Sequence, residues 1–258
     1  MRTWSLLLRK ELLESVRNYR WIWIPLVFLV LGIMNPVTNY YMPQILEASG
    51  IAAEVAEQIP MPTPTETIAK SLSQYGTLGL LVLVISFMGV VAGERQTGAA
   101  IMVLVKPVSH TSYIIAKWTA MTAVTLVAFG LAHLGTWYYT GVLFDWVPFA
   151  AIWQSFLLYA LWLILILTLT ILLSSLLTSA GAAAFSTLAI AALISLLSQL
   201  LGNAMTWSPG RLTGEASQIL LTGHGSDHLW LSIGVTVALI VALLACAVAA
   251  SKRMWTRA

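Results

Sequence analysis

Asp145 and Arg211 are separated by 65 positions, 146–210, that contain no Asp, Glu, Lys or Arg. A helix needs about 20 apolar residues to cross the hydrocarbon of a bilayer, so this stretch is too long for one crossing and suits two. Small and polar residues interrupt the leucine-rich run at Leu177-Thr178-Ser179-Ala180-Gly181. A tight turn there leaves spans over 153–177 and 182–201. Composition points to the same environment: hydrophobic residues make up 59% of the chain, charged residues 9%, and mean hydropathy is +0.87, outside the range of a soluble domain. The 258 residues are expected to form one membrane domain, with no room for a separate soluble catalytic domain.

Further apolar runs predict spans over 21–41, 74–93, 118–141 and 229–250, six in all, giving an all-α integral membrane fold. Tyr19, Trp21 and Trp23 open the first span and Tyr40 and Tyr41 close it, as aromatic belts do. Asn35-Pro36 predicts a kink, because proline removes a backbone donor. Gly89 and Gly93 share a bare face of the second span and are expected to permit close helix packing. Residues 42–70, with four glutamates and four prolines, read as an external loop, partly helical around 44–59. Residues 202–228 read as a second one, around an apolar piece, Ala216 to Leu221, too short to cross and expected to cap the bundle or re-enter the membrane. The single cysteine, Cys246, excludes an intrachain disulfide and reads as a small packing residue.

Residues 1–20 predict an amphipathic helix lying in the membrane interface. Trp4, Leu8, Leu12 and Val16 recur at helical spacing, while Arg9, Lys10, Glu11, Glu14 and Arg17 take the other face. Lys10 with Glu14, and Glu14 with Arg17, stand at ion-pair spacing. Charges spread through this segment lack the compact layout of a cleaved signal, so the first span is expected to be retained. With both termini and residues 94–117 inside, 11 of the 13 basic residues are cytoplasmic and only Lys70 and Arg211 lie outside. The net charge of +3 therefore reads as a topology signal and a match to anionic lipid, not as a nucleic-acid footprint.

The stretch 94–117 is too polar at its ends for hydrocarbon and too apolar over residues 101–105 for an open loop. It predicts a helical hairpin held against the inner face. Gly93-Glu94-Arg95, then Gly98, an apolar turn, Lys106-Pro107-Val108-Ser109 and Tyr113 to Lys117, placed between spans two and three of six, resembles the ABC-2 type of ABC-transporter permease. That resemblance implies that Glu94, Arg95, Gly98, Lys106, Pro107 and Lys117 couple the chain to a cytoplasmic ATPase. The amino-terminal helix would touch the ATPase as well, and the turn at 177–181 would supply a second, smaller contact. It further implies two copies of the ATPase, which bind ATP and Mg, a second permease chain, identical or related, a re-entrant segment before the last span, and work mostly in export across the cytoplasmic membrane of a prokaryote. On residue chemistry alone, Glu94 and Arg95 also fit membrane-edge charges that snorkel to headgroups, and Lys106-Pro107 fits a helix-ending turn.

Two absences narrow the function. No G-x-x-x-x-G-K-[ST] sequence occurs, so the chain lacks the phosphate cradle of an ATPase and is expected to hold no cofactor or metal of its own. None of the six spans has a charged residue in its core, where ion-coupled carriers generally need one. An intramembrane hydrolase fits poorly, since His133 has no serine partner in a Gly-x-Ser setting and His224, Ser226 and His228 sit in an external loop. His133 reads as a hydrogen-bonded packing residue. A non-transporting sensor coupled to an ATPase remains the alternative class. Ser86, Thr122, Thr125, Thr168 and Ser195 would suit a path for an amphipathic or lipophilic cargo and equally a packed hydroxyl-rich helix interface, so no substrate residue is assigned.

Overall fold

The computed structural model describes residues 2–49, 62–98 and 108–255. Among them the chain is all-helical, and six helices are long and apolar enough to cross a membrane: Arg20–Tyr40, Pro64–Gln96, His110–Leu143, Phe149–Leu176, Ala180–Leu200 and Leu229–Lys252. These are spans one to six. Shorter helices cover Arg2–Arg17, Met42–Ala48 and Leu212–Thr222. An even number of crossings puts the helix at Arg2–Arg17 and the far end of span six at the same end of the bundle, hereafter the terminal end. Span four is the most buried of the six and span six the least. Span one packs along span three, and the 212–222 helix packs on spans two and four.

Span two begins earlier than the apolar run suggests. Thr63 caps it: its hydroxyl accepts from the Glu66 N–H at 3.3 Å, and the Glu66 carboxylate accepts from the Thr63 N–H at 2.8 Å, with Pro64 at the first helical position. The first turns then bury Thr67, Ile68, Ser71 and Leu72 while Glu66 and Lys70 face outward. Two exposed charges thus disguised the start of the helix as loop. Farther on, residues Tyr75–Gly79 form a π-helical turn, which shifts the register of the face that follows.

Span one runs through both Pro25 and Pro36. Pro36 cannot donate to the carbonyl four residues back, Gly32, and the Ser71 hydroxyl of span two lies 3.4 Å from that carbonyl, sharing its proton with the Thr67 carbonyl of its own helix at 3.2 Å. Gly32 also lies against the backbone of span three, where an added Cβ would stand 2.9 Å from the Ala132 carbonyl oxygen. A methyl group there would collide with the Tyr75 hydroxyl and lie 2.5 Å from the Thr136 hydroxyl. Gly135, on the facing helix, leaves room for Leu29 in the same way.

The glycine expectation therefore needs correcting. A methyl on Gly93 would meet nothing within 4 Å, and one on Gly89 would make an ordinary 3.8 Å contact with Ala180. The tight crossing belongs to Gly32, which no four-residue spacing marks. Cys246 is exposed on span six rather than packed inside, because that helix turns most of its surface away from the bundle.

Gly32→Ala is expected to destabilise the purified protein by about 1–3 kcal/mol through overpacking. Gly93→Ala is expected to be neutral or slightly stabilising, since alanine is the better helix former. Unfolding in mixed detergent compares the two, and equal effects would contradict the assigned crossing.

Candidate functional site at the terminal end

Lys117 lies two turns into span three with its side chain 1% exposed. An ammonium in such a place must be neutralised and hydrogen-bonded. Its Nζ donates to both Glu11 oxygens, at 3.0 and 3.1 Å, and sits 2.8 Å from Glu94 Oε1. It also lies 5.0 Å from the centroid of the Tyr113 ring, one turn back on the same helix. Glu94 is half-buried: Oε1 accepts from Lys10 Nζ at 2.6 Å and Oε2 from the Tyr113 hydroxyl at 2.6 Å. Lys10 Nζ reaches Glu11 Oε1 at 3.0 Å and Glu14 Oε2 at 3.1 Å as well. Two ammonium groups and three carboxylates from the amino-terminal helix, the end of span two and the start of span three thus form one cluster.

The three carboxylates lie close enough together to suggest a cation site. Lys10 Nζ touches all three, so its ammonium already takes the place such an ion would fill. Burial works against the charge on Lys10, but the hydrogen bond and charge of Glu94 and the charge of Glu11 outweigh it and hold its pKa above the ordinary lysine value.

This cluster changes the reading of the amino-terminal helix. The polar face assigned to Glu11 from sequence is not the outer one: Glu11 and Ser15 are the buried residues of the helix. Leu6, Leu13 and Val16 are exposed, Trp4 is at the border of exposure, and Leu8 and Leu12 are half-buried. Turning Glu11 inward toward the Lys117 ammonium leaves apolar side chains free to meet lipid. Of the two ion pairs expected along the helix, Lys10 with Glu14 forms and Glu14 with Arg17 is absent among the described residues.

Span two breaks over residues 88–91 and resumes as the short helix Ala92–Gln96, which carries Glu94. Ser174 of span four mends the break. Its hydroxyl donates to the Met88 carbonyl at 2.7 Å and accepts from the N–H groups of Val91 and Ala92, at 3.2 and 3.0 Å. Gln96 Nε2 donates to the Thr178 carbonyl at 2.7 Å, tying the same short helix to the turn between spans four and five. Gly98 then turns the chain with φ +73, a conformation suited to glycine. At the other side, His110 Nδ1 lies 3.1 Å from Ser251 Oγ, linking the start of span three to the end of span six.

The residues singled out from sequence therefore separate. Glu94 and Lys117 meet in the buried cluster, so Lys117 is not a surface contact for any partner. Arg95, next to Glu94, is exposed, whereas Glu94 is half-buried in the cluster. Gly98 is a turn residue, and Lys106 and Pro107 lie outside the described residues. Ser174 was missed, and Glu11, Lys10 and Tyr113, though noted along the chain, were not read as partners of Glu94 and Lys117. The signal for Lys117's partner was present: Lys117 opens a long apolar run, and a lysine so placed needs a carboxylate from elsewhere in the chain.

His133 packs as expected, its Nε2 3.2 Å from the Ile152 carbonyl and 3.0 Å from Ser155 Oγ and its ring stacked on Phe129. A serine does stand beside it, Ser155, though in a Trp-Gln-Ser and not a Gly-x-Ser setting. That Ser155 hydroxyl donates to the Ile152 carbonyl at 2.9 Å, and both side chains are buried, so the pair offers no nucleophile to a substrate. Among the five hydroxyl residues considered for a path, Ser86 bonds to its own helix, Thr168 accepts from Trp118 Nε1, and Thr122 and Thr125 are buried. Ser195 alone of the five lines the groove between spans two, four and five.

Comparison with known proteins bears on the whole chain. A family model described as ABC-2 family transporter protein matches residues 5–253. The chain is similar to the "Uncharacterized transmembrane protein YxlG" of Bacillus subtilis (strain 168), 32% identical over 244 residues, which cover 94% of this chain and 95% of that protein.

Lys117→Met is expected to cost about 3–5 kcal/mol of stability, because it leaves three clustered carboxylates with the single ammonium of Lys10 between them. Combining it with Glu11→Gln is expected to recover part of that loss. Unfolding of the single and double variants in mixed detergent measures the coupling, and strictly additive losses would contradict a shared cluster.

Proposed function

The chain belongs to the ABC-2 transporter family, and we propose that it is the membrane-spanning permease subunit of an ATP-driven exporter, its energy supplied by a separate ATPase. Permeases of this family generally work with an ATPase subunit. The observation that carries the reading is the buried ion cluster. Through it the amino-terminal helix, the Glu94 helix and span three form one mechanical body at the terminal end. A push on the surface around Arg95 would pass through Glu94 to Lys117 and Glu11, and through Gln96 to the turn between spans four and five. A rigid body of this kind converts a local displacement into rocking of spans.

In this proposal the terminal end is cytoplasmic and the membrane is the cytoplasmic membrane of a prokaryote. Two ATPase copies bind ATP and Mg, and a second permease chain, identical or related, completes the pathway. The whole chain acts as a single permease domain, and the cargo is an amphipathic or lipophilic molecule moved outward. Arg95, Gly98, Lys106 and Pro107 belong to the ATPase-facing surface, whereas Glu94 and Lys117 transmit from behind it.

Affinity capture of the tagged chain from gently solubilised membranes tests this reading. Wild type is expected to bring down a nucleotide-binding ATPase, and Arg95→Glu to lower its recovery about fivefold or more at equal membrane level, a loss of roughly 1 kcal/mol. Capture of no ATPase under conditions that keep the chain folded would contradict it.

A further inference from the structure

A groove of about 880 Å³ opens between spans two, four and five and the 212–222 helix, away from the ion cluster. Its volume lies within the range of small-molecule sites. Its two ends differ. Ser73, Thr77, Ser195, Gln199, Thr213 and Ser217 lie toward the end distal to the termini, and Leu80, Leu81, Trp162, Leu188 and Ala189 toward the middle of the spans. Tyr159 is the single ionisable residue in the lining.

Two features of the wall are unusual. The π-helical turn Tyr75–Gly79 lies in it and places Gly76 and Thr77 on the groove. Such turns recur at functional sites, since they re-aim side chains at the cost of regular hydrogen bonding. Behind Gly76 stands Tyr159, 1% exposed, whose hydroxyl has no hydrogen-bond partner. A methyl on Gly76 would lie 3.0 Å from that hydroxyl, so the glycine keeps the space in front of it open. The Tyr159 ring packs at 5.1 Å on Phe129, which fixes where the hydroxyl points. A buried phenol without a partner costs stability and is retained here at the wall of a groove.

Three other hydroxyls in the lining donate to backbone carbonyls of their own segments. Thr77 bonds to the Ser73 carbonyl, Thr213 to the Gly210 carbonyl and Ser217 to the Thr213 carbonyl. Their oxygens remain as acceptors; Ser73, Ser195 and Gln199 keep donors of their own, and the Tyr159 hydroxyl is the polar atom of the described lining that is buried without a partner. An ionised ligand would find no counter-charge here, which in a low-dielectric site is costly.

We infer that this groove binds an uncharged amphipath, its hydroxyl- or carbonyl-bearing head among Thr77, Gln199 and Ser217 within reach of the Tyr159 hydroxyl and its apolar tail along Leu81 and Leu188. The inference rests on the permease reading, whose cargo class it narrows. Gly76 admits the ligand's acceptor, Tyr159 donates to it, and the apolar end excludes water from that bond.

The probe is a monoacylglycerol with a photoreactive diazirine in its acyl chain, applied to the purified full chain in phosphatidylcholine nanodiscs. The matching diazirine fatty acid at pH 8 serves as the charged control. Saturable labelling of residues 73–81 and 188–199 by the monoacylglycerol is expected, at least tenfold above the acid. Tyr159→Phe is expected to weaken it about five- to tenfold, the size of one hydrogen bond, without lowering the unfolding midpoint, because it removes an orphan hydroxyl. Gly76→Leu should abolish it.

Non-saturable labelling over the whole lipid-facing surface, labelling unchanged in Tyr159→Phe, or a groove shielded by a second copy of the chain would each overturn the site. Capture of the ATPase is measured on the same preparations. Recovery of the ATPase without saturable labelling removes the site and leaves the permease; labelling without any ATPase removes the permease and leaves the site.

Discussion

The structure depends on keeping one lysine charged inside protein. Lys117 is 1% exposed, and an ammonium buried there without carboxylate partners would carry a large desolvation cost. The chain resolves this by bringing Glu11 from the amino-terminal helix and Glu94 from the end of span two onto the same nitrogen. Lys10 then offsets the carboxylate charge that gathers around it. The cost of separating any one member is what fastens a surface helix and a short interrupted helix to a membrane span. Ordinary apolar packing could not hold them as firmly at an interface where lipid competes for the same apolar side chains.

The same economy governs the breaks in the helices. Pro36 frees the Gly32 carbonyl and Ser71 shares its proton between that carbonyl and its own Thr67; the interruption at 88–91 frees one carbonyl and two N–H groups, and Ser174 takes all three. In a hydrocarbon setting no water stands by to do so. Each repair comes from a different span, so irregular backbone becomes a point of attachment between helices. The short Glu94 helix is consequently held from three sides, by span four, by the turn after it and by the ion cluster. The hydroxyls of Thr122, Thr125, Thr140 and Tyr159 are buried without a partner, and of these Tyr159 alone lines the groove.

How much of this could be read in advance follows from which interactions are local. The six crossings were legible because a charge-free run of 65 positions and its counterparts are one-dimensional signals. The start of span two was not, since Glu66 and Lys70 lie on the exposed face of its first turns while Thr67 and Ile68 are buried. Glu94 and Lys117 were singled out by their place in the sequence, but their meeting was not foreseeable: Glu11 lies 106 positions from Lys117 and nothing in helical spacing connects them. Helical periodicity gave Glu11 an outward place among its charged neighbours, whereas the structure buries it. Gly32 escaped notice for a related reason, as its role is set by Thr136 and Ala132 across a helix crossing and not by a second glycine four residues away.

The account's central claim is that the amino-terminal helix and the Glu94 helix move as one body because Lys117 joins them. Spin labels at Leu13→Cys and Thr97→Cys, in a Cys246→Ser background, report the separation of the two helices by pulsed electron resonance in the complex with the ATPase proposed above. A single distance that does not shift when ATP and vanadate are added, and that broadens in Lys117→Met, is the predicted result. A shift with nucleotide while the cluster is intact would contradict the claim, because the two helices would then be moving independently.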